Sequence, residues 1–168
     1  MSTTPQPAVD FAAMPTLADV ARYQAANRPQ ATALVFEGRE TTFAVFDRRS
    51  SQAANALLAE GLRKGDRIAY LGKNSDHYFE LLFGAAKIGA VMAPIGWRLA
   101  PPEVAYIVGD AQARMLFVGP EVAEVAAQIA PELAGAKIIA MEPVAQGWPT
   151  YEAWRDAQGD ADPGLPID

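Results

Sequence analysis

The chain has 168 residues and a mass of 17.9 kDa, the length of one ordinary domain, and 51% of it is hydrophobic, enough to bury a core. Its 14 basic and 20 acidic residues leave a net charge of -6, which repels phosphate backbones and anionic lipid, so no nucleic-acid partner is expected. The absence of cysteine removes a disulfide framework, a thiolate metal site and a cysteine nucleophile, and fits a reducing compartment, with the cytoplasm as the expected location.

Residues 1–15, MSTTPQPAVDFAAMP, lack the positive start and apolar middle of a secretory signal and read as a flexible N-terminal arm. From Thr16, the stretch TLADVARYQAANRP sets a capping threonine three residues before Asp19. It spaces Leu17, Val20, Ala21 and Tyr23 as a short amphipathic helix that Pro29 closes. ATALVFEGRETTF then flanks Glu37-Gly38-Arg39 with two strand-like runs, which predicts a hairpin whose glycine supplies the positive φ of a tight reversal. A longer helix is predicted from Phe43 to Glu60. Phe43, Phe46, Ala53, Ala54, Leu57 and Leu58 share one stripe of it, and Gly61 stops it.

Short apolar runs follow at Ile68–Leu71, Val91–Ile95, Met115–Val118 and Ile138–Met141, spaced by about one βα unit each. Between them lie the helix-like segments SDHYFELLFGAAKIG, PPEVAYIVGD and EVAEVAAQIAPEL. Strands so uniformly apolar are covered on both faces, and crossovers of this length join parallel neighbours, so the expected class is α/β with a layered parallel sheet and flanking helices. The longest apolar run, Leu81 to Trp97, carries Lys87, Pro94 and three glycines and is too short to span a membrane. Beyond Met141 the composition shifts to EPVAQGWPTYEAWRDAQGDADPGLPID, with a last turn around Tyr151–Arg155. This end reads as a linker rather than a segment tied into a core. The expected organisation is an arm over 1–15, a partial α/β domain over 16–142 and a linker-like tail over 143–168.

Few residues carry recognisable chemistry. Neither G-x-G-x-x-G nor G-x-x-x-x-G-K-[ST] occurs. Gly72-Lys73 stands at a strand end, where α/β proteins bind ligands, but Asn74 replaces the needed Ser/Thr and Arg67 replaces the needed glycine. His77, the one histidine, lies beside Asp76 without a nucleophile in a recognisable setting and reads as a structural or surface histidine. Tyr78, Phe79 and Phe83 fall at helical spacing and read as core. Glu121, Glu124, Glu132, Asp156, Asp160 and Asp162 lack loop spacing and read as solvated charge, so no metal site is expected. Gly84 reads as close packing of a helix on a sheet and Gly89 as a helix cap. Trp97-Arg98 follows a strand end, either as a charged fork for a phosphate or carboxylate or as a packed tryptophan and an arginine paired to a nearby acid.

The order of these segments carries more. A Thr-Phe-x-x-x-Asp helix opening at 42–47, Lys64-Gly65-Asp66-Arg67-Ile68, Gly84-Ala85-x-Lys87-x-Gly89-Ala90-Val91 and Arg98-Leu99-x-Pro101 stand in sequence. From Thr16 onward the chain resembles the amino-terminal part of the acyl-CoA synthetases of the adenylate-forming superfamily. The resemblance implies the first portion of the large N-terminal domain, whose partners are the remainder of that domain and a mobile C-terminal domain. It implies ATP, Mg2+ and CoA for the whole enzyme, which makes an acyl-CoA from a fatty or other carboxylic acid through an acyl-adenylate with loss of pyrophosphate. The phosphate loop, the metal-binding glutamate, the ribose-binding aspartate, the hinge and the C-terminal lysine of that family lie beyond this stretch. The expectation is therefore an inactive fragment with no catalytic residue and no cofactor of its own. Arg98 matches a family position that approaches the CoA phosphates, although Gly96 stands where members commonly carry asparagine. Two other readings stay open: a stand-alone interaction or scaffold module, able to form homo-oligomers through an uncovered apolar face, and a small nucleotide-binding protein using Gly72-Lys73.

Overall fold

A computed structural model describes residues 9–133 and 135–167. Most of the expected arm, residues 1–8, lies outside that range. After a short 3-10 turn at Phe11–Ala13, α1 (Leu17–Asn27) starts at Thr16, whose hydroxyl accepts from the Asp19 N–H while Asp19 reaches back to the Thr16 N–H. These reciprocal bonds satisfy two of the donors that a helix start leaves unpaired. The hairpin β1 (Thr32–Phe36) and β2 (Arg39–Thr42) reverses through Glu37 at φ 48° and Gly38 at φ 80°, the paired positive angles of a two-residue turn. Thr42 caps α2 (Phe43–Ala59), which Gly61 ends at φ 83°.

The main sheet comprises β3 (Arg67–Leu71), β4 (Val91–Ile95), β5 (Met115–Val118) and β6 (Lys137–Ala140), all parallel, in the order β4-β3-β5-β6. The helices α3 (Asp76–Lys87), α4 (Pro101–Asp110) and α5 (Ala123–Ile129) connect these strands. A short α6 (Tyr151–Asp156) follows the last strand.

Alternation along the strands divides the core. Ile68 and Tyr70 of β3, with Met115 and Phe117 of β5, join Leu57, Leu81, Ile88 and Tyr151 on one face. Ala69, Leu71, Leu116 and Val118 join Val104, Val108, Ala126 and Ile129 on the other. Successive strand residues point to opposite faces, so the sheet is the middle of three layers. The β4 strand departs from the expected full burial: it is an edge, with Val91 and Pro94 exposed. Proline suits such an edge because it has no N–H to offer a further strand.

Gly84 packs against a helix and not against the sheet. A methyl group there would lie 2.8 Å from the Ala53 side chain and from the Ser50 carbonyl oxygen of α2.

The C-terminal stretch is not the untethered linker expected from its composition. Asn55 of α2 donates to the carbonyls of Gly159 and Ala161 at 2.8 and 2.9 Å, and Gln52 donates to that of Gln158. Asp162 accepts from Arg22 of α1 at 2.8 and 2.9 Å and from the fully buried Lys87 of α3 at 2.9 Å. The expectation that Asp162 is a solvated charge therefore fails, because two cations of the helical layer need a carboxylate there. Among the described residues no helix is long and apolar enough to cross a membrane.

Candidate functional site

The chain crosses from β3 through α3 on one face of the sheet and from β5 toward α5 on the other. In open parallel sheets such a reversal leaves a crevice at the carboxyl ends of the two strands. Here the loops after β3 and β5 nearly touch: a methyl group on Gly72 would lie 3.0 Å from the Gly119 backbone, and the Gly119 N–H donates to the Leu71 carbonyl at 2.8 Å. A cavity of about 270 Å³ opens above them, lined by Tyr70, Lys73, His77, Glu121 and Glu142 among others.

This crevice does not suit a phosphate. The Lys73 backbone N–H, the donor such a loop would present, is taken by the Glu121 carboxylate. With Glu121 and Glu142 on the wall, a phosphate would meet like charge. The nucleotide-loop reading of Gly72-Lys73 therefore has no support in the geometry. Tyr70 donates its hydroxyl to the Lys73 carbonyl at 2.6 Å, and burial pushes that phenol above its ordinary pKa.

His77 sits at the start of α3, which Ser75 caps through the Tyr78 N–H. Its Nε2 lies 3.5 Å from Glu152, and its ring centre lies 5.2 Å from that of Tyr151. The neighbouring Asp76 is buried and accepts from Arg39 at 3.0 and 3.2 Å. Burial alone would raise the Asp76 carboxyl, but the Arg39 guanidinium outweighs it and holds the group below the usual carboxylate range. These contacts join hairpin, α3 and α6, with His77 between the Tyr151 ring and the Glu152 carboxylate. Tyr78 and Phe79 stack edge-on within the same layer, as do Phe83 and Phe46. Among the described residues no group of three acidic or histidine side chains could hold a metal ion.

Beside the crevice, past the end of β4, the two expectations for Trp97-Arg98 meet a third arrangement. The Arg98 guanidinium lies 4.6 Å and the Lys73 ammonium 4.9 Å from the centre of the Trp97 ring. Neither cation has a carboxylate partner among the described residues. Two exposed cations held on one indole keep their charge available to an anion in solution. Nothing local in the sequence signals the pairing of Lys73 with Trp97, since they come from different loops and meet only because β3 and β4 are neighbours.

These features define a three-layer α/β unit with its candidate surface at the carboxyl edge of a parallel sheet. Residues 21–165 match the AMP-binding enzyme family, and the chain belongs to it. It is 39% identical over 148 residues to the fatty acid–[acyl-carrier-protein] ligase ScoC of Streptomyces coeruleorubidus, a match covering 88% of this chain and 27% of that protein. It is 43% identical over 102 residues to a feruloyl-CoA synthase of an Amycolatopsis species, covering 61% of this chain and 21% of that one. The chain thus spans about a quarter of the length of these curated relatives. Among solved structures, the anthranilate CoA ligase AuaEII, bound to anthranoyl-AMP, superposes with a TM-score of 0.82 at 28% identity, covering 91% of this chain and 30% of its own. The N-terminal domain of FACL13 from Mycobacterium tuberculosis gives 0.79 at 28% identity, covering 92% and 39%. These matches place the chain with the N-terminal part of the adenylate-forming acyl-CoA and acyl-carrier-protein ligases.

Proposed function

We propose that this chain is the first part of a ligase that uses ATP and Mg2+ to activate a carboxylic acid as its adenylate and then passes the acyl group to the thiol of CoA. The observation that carries this reading is the family match across 21–165, together with relatives that are themselves ligases of carboxylic acids. In this reading the remainder of the large domain and the C-terminal domain supply the nucleotide, metal and transfer chemistry. The 168-residue chain alone forms no adenylate.

Within the unit, Arg98 is the residue proposed to meet the CoA phosphates. Its guanidinium is exposed, has no carboxylate partner among the described residues and is oriented by Trp97, with the charge of Lys73 nearby. Such an arrangement suits an anion on the solvent side of the sheet edge better than one inside the acidic crevice.

The test has two arms. Purified 168-residue chain, given ATP, Mg2+ and a panel of fatty and aromatic acids, is expected to release no pyrophosphate, and release would overturn the fragment reading. A chimera in which this chain replaces the matching portion of a related CoA ligase is expected to be active. Arg98→Ala in that chimera should raise KM for CoA while leaving adenylate formation unchanged. Unchanged KM for CoA would remove Arg98 from the site without touching the family reading.

A further inference from the structure

Three side chains of α3 face three of the C-terminal segment, and every pair is separated by the same 75 positions in the sequence. Glu80 meets Arg155 at 2.5 Å, Lys87 meets Asp162 at 2.9 Å, and His77 meets Glu152 at 3.5 Å. The constant separation means that residues 152–162 run alongside α3 in the same direction. The three facing residues of α3 read positive, when His77 is protonated, then negative, then positive, while Asp76 turns to Arg39. The three facing residues of the segment read negative, positive, negative, while Asp156 turns to Arg155 and Asp160 to Arg48.

This alternation discriminates against other seatings. A slide of three residues sets Glu80 against Glu152 or His77 against Arg155, and a slide of seven sets Lys87 against Arg155 or Glu80 against Asp162. Like charges brought together in a poorly solvated layer are strongly unfavourable. Tyr151 and Trp154 anchor the start of the segment by packing against Phe117, whereas the Gln52 and Asn55 contacts further along cannot make this distinction, because they go to main-chain carbonyls, which every residue carries. The layer around the teeth is closed by Asp47 and Ser51 on Lys87, by Arg49 on Glu80 and by Arg22 on Asp162.

We infer that the alternating charges on α3 are a register code that fixes the direction and the position in which residues 151–162 seat on the helical layer. In this arrangement the segment is a docked element of the unit, read by its side-chain charges and held by its backbone.

Hydrogen exchange of the 168-residue chain, followed by mass spectrometry, separates a charge code from simple space filling. Asp162→Lys sets like charge against Lys87 and Arg22, whereas Asp162→Asn only weakens an attraction. The amides of residues 151–164 are expected to exchange roughly tenfold faster in Asp162→Lys than in Asp162→Asn, with the amides of β3 and β5 exchanging alike in the two variants. Arg155→Glu against Arg155→Met gives the same comparison at the neighbouring tooth. Equal exchange in the like-charge and neutral variants overturns the inference. A difference between the like-charge and the neutral variant that is as large in β3 and β5 as in residues 151–164 also overturns it, because the charge pattern would then support the whole fold and not the seating of this segment.

Discussion

Glu80 and Arg155 meet through a 2.5 Å contact between Oε2 and Nη1, with side-chain exposures of 0% and 3%. Arg49 contributes a second cation to Glu80 at 3.2 Å, and Asp156 a second anion to Arg155 at 2.8 Å. An ion pair so far from water adds little over an apolar pair of equal shape, but it is costly to break from one side, because the survivor keeps a desolvated charge.

Replacing Arg155 with methionine is therefore expected to destabilise the protein by about 3 kcal/mol. Arg49 can only partly neutralise the remaining Glu80. The double variant Arg155→Met, Glu80→Met should recover much of that loss. Urea denaturation of the four members of this cycle at neutral pH checks both statements, and additive losses would show that the two side chains are not energetically coupled.

At Gly84 the α2 and α3 backbones approach so closely that a methyl group lies 2.8 Å from a carbonyl oxygen. Backbone atoms yield less readily than side-chain ends, so Gly84→Ala should cost about 1–3 kcal/mol. A thermal melt lowered by several degrees is the expected result, and an unchanged melt would mean that the two helices separate at little cost.

Glu37 occupies the left-handed region at φ 48° in the hairpin turn, where a long side chain gains nothing and asparagine is better tolerated. Glu37→Asn is predicted to stabilise the protein by about 0.5 kcal/mol, read from the denaturation midpoint. A loss of stability would reveal a contact that the exposed glutamate makes in solution.

Acid should weaken the fold through its paired carboxylates. Burial works to raise the Asp162 carboxyl, but donors from Arg22, Lys87 and the Gly164 N–H outweigh it and hold the group well below the usual range. Asp76 is depressed by Arg39, again against burial, and Asp19 by its bond to Thr16. A depressed folded-state pKa contributes stability that is complete above the unfolded value of about 3.9 and is lost as pH falls toward the folded value. Denaturation midpoints are thus expected to be insensitive to these groups from about pH 5 to 7.5 and to drop below about pH 4. In Asp162→Asn the drop should be shallower. An equally steep drop would exclude Asp162 as one of its sources.

Periodicity alone identified the helices, the hairpin turn at Glu37-Gly38 and the four parallel strands. These depend on local spacing of apolar residues and on glycines that permit positive φ, and both are visible in short windows of sequence. The order of segments likewise carried the family resemblance. What the windows could not show was which distant residues meet. The strand order β4-β3-β5-β6 brings Lys73 to Trp97 and Gly72 to Gly119, and the seating of residues 151–162 turns Asp162 from an apparently solvated acid into the partner of a buried lysine. A charge has the same appearance in the sequence whether water or a partner surrounds it. Its environment is decided by chain segments many positions away, so only the tertiary structure assigns these roles.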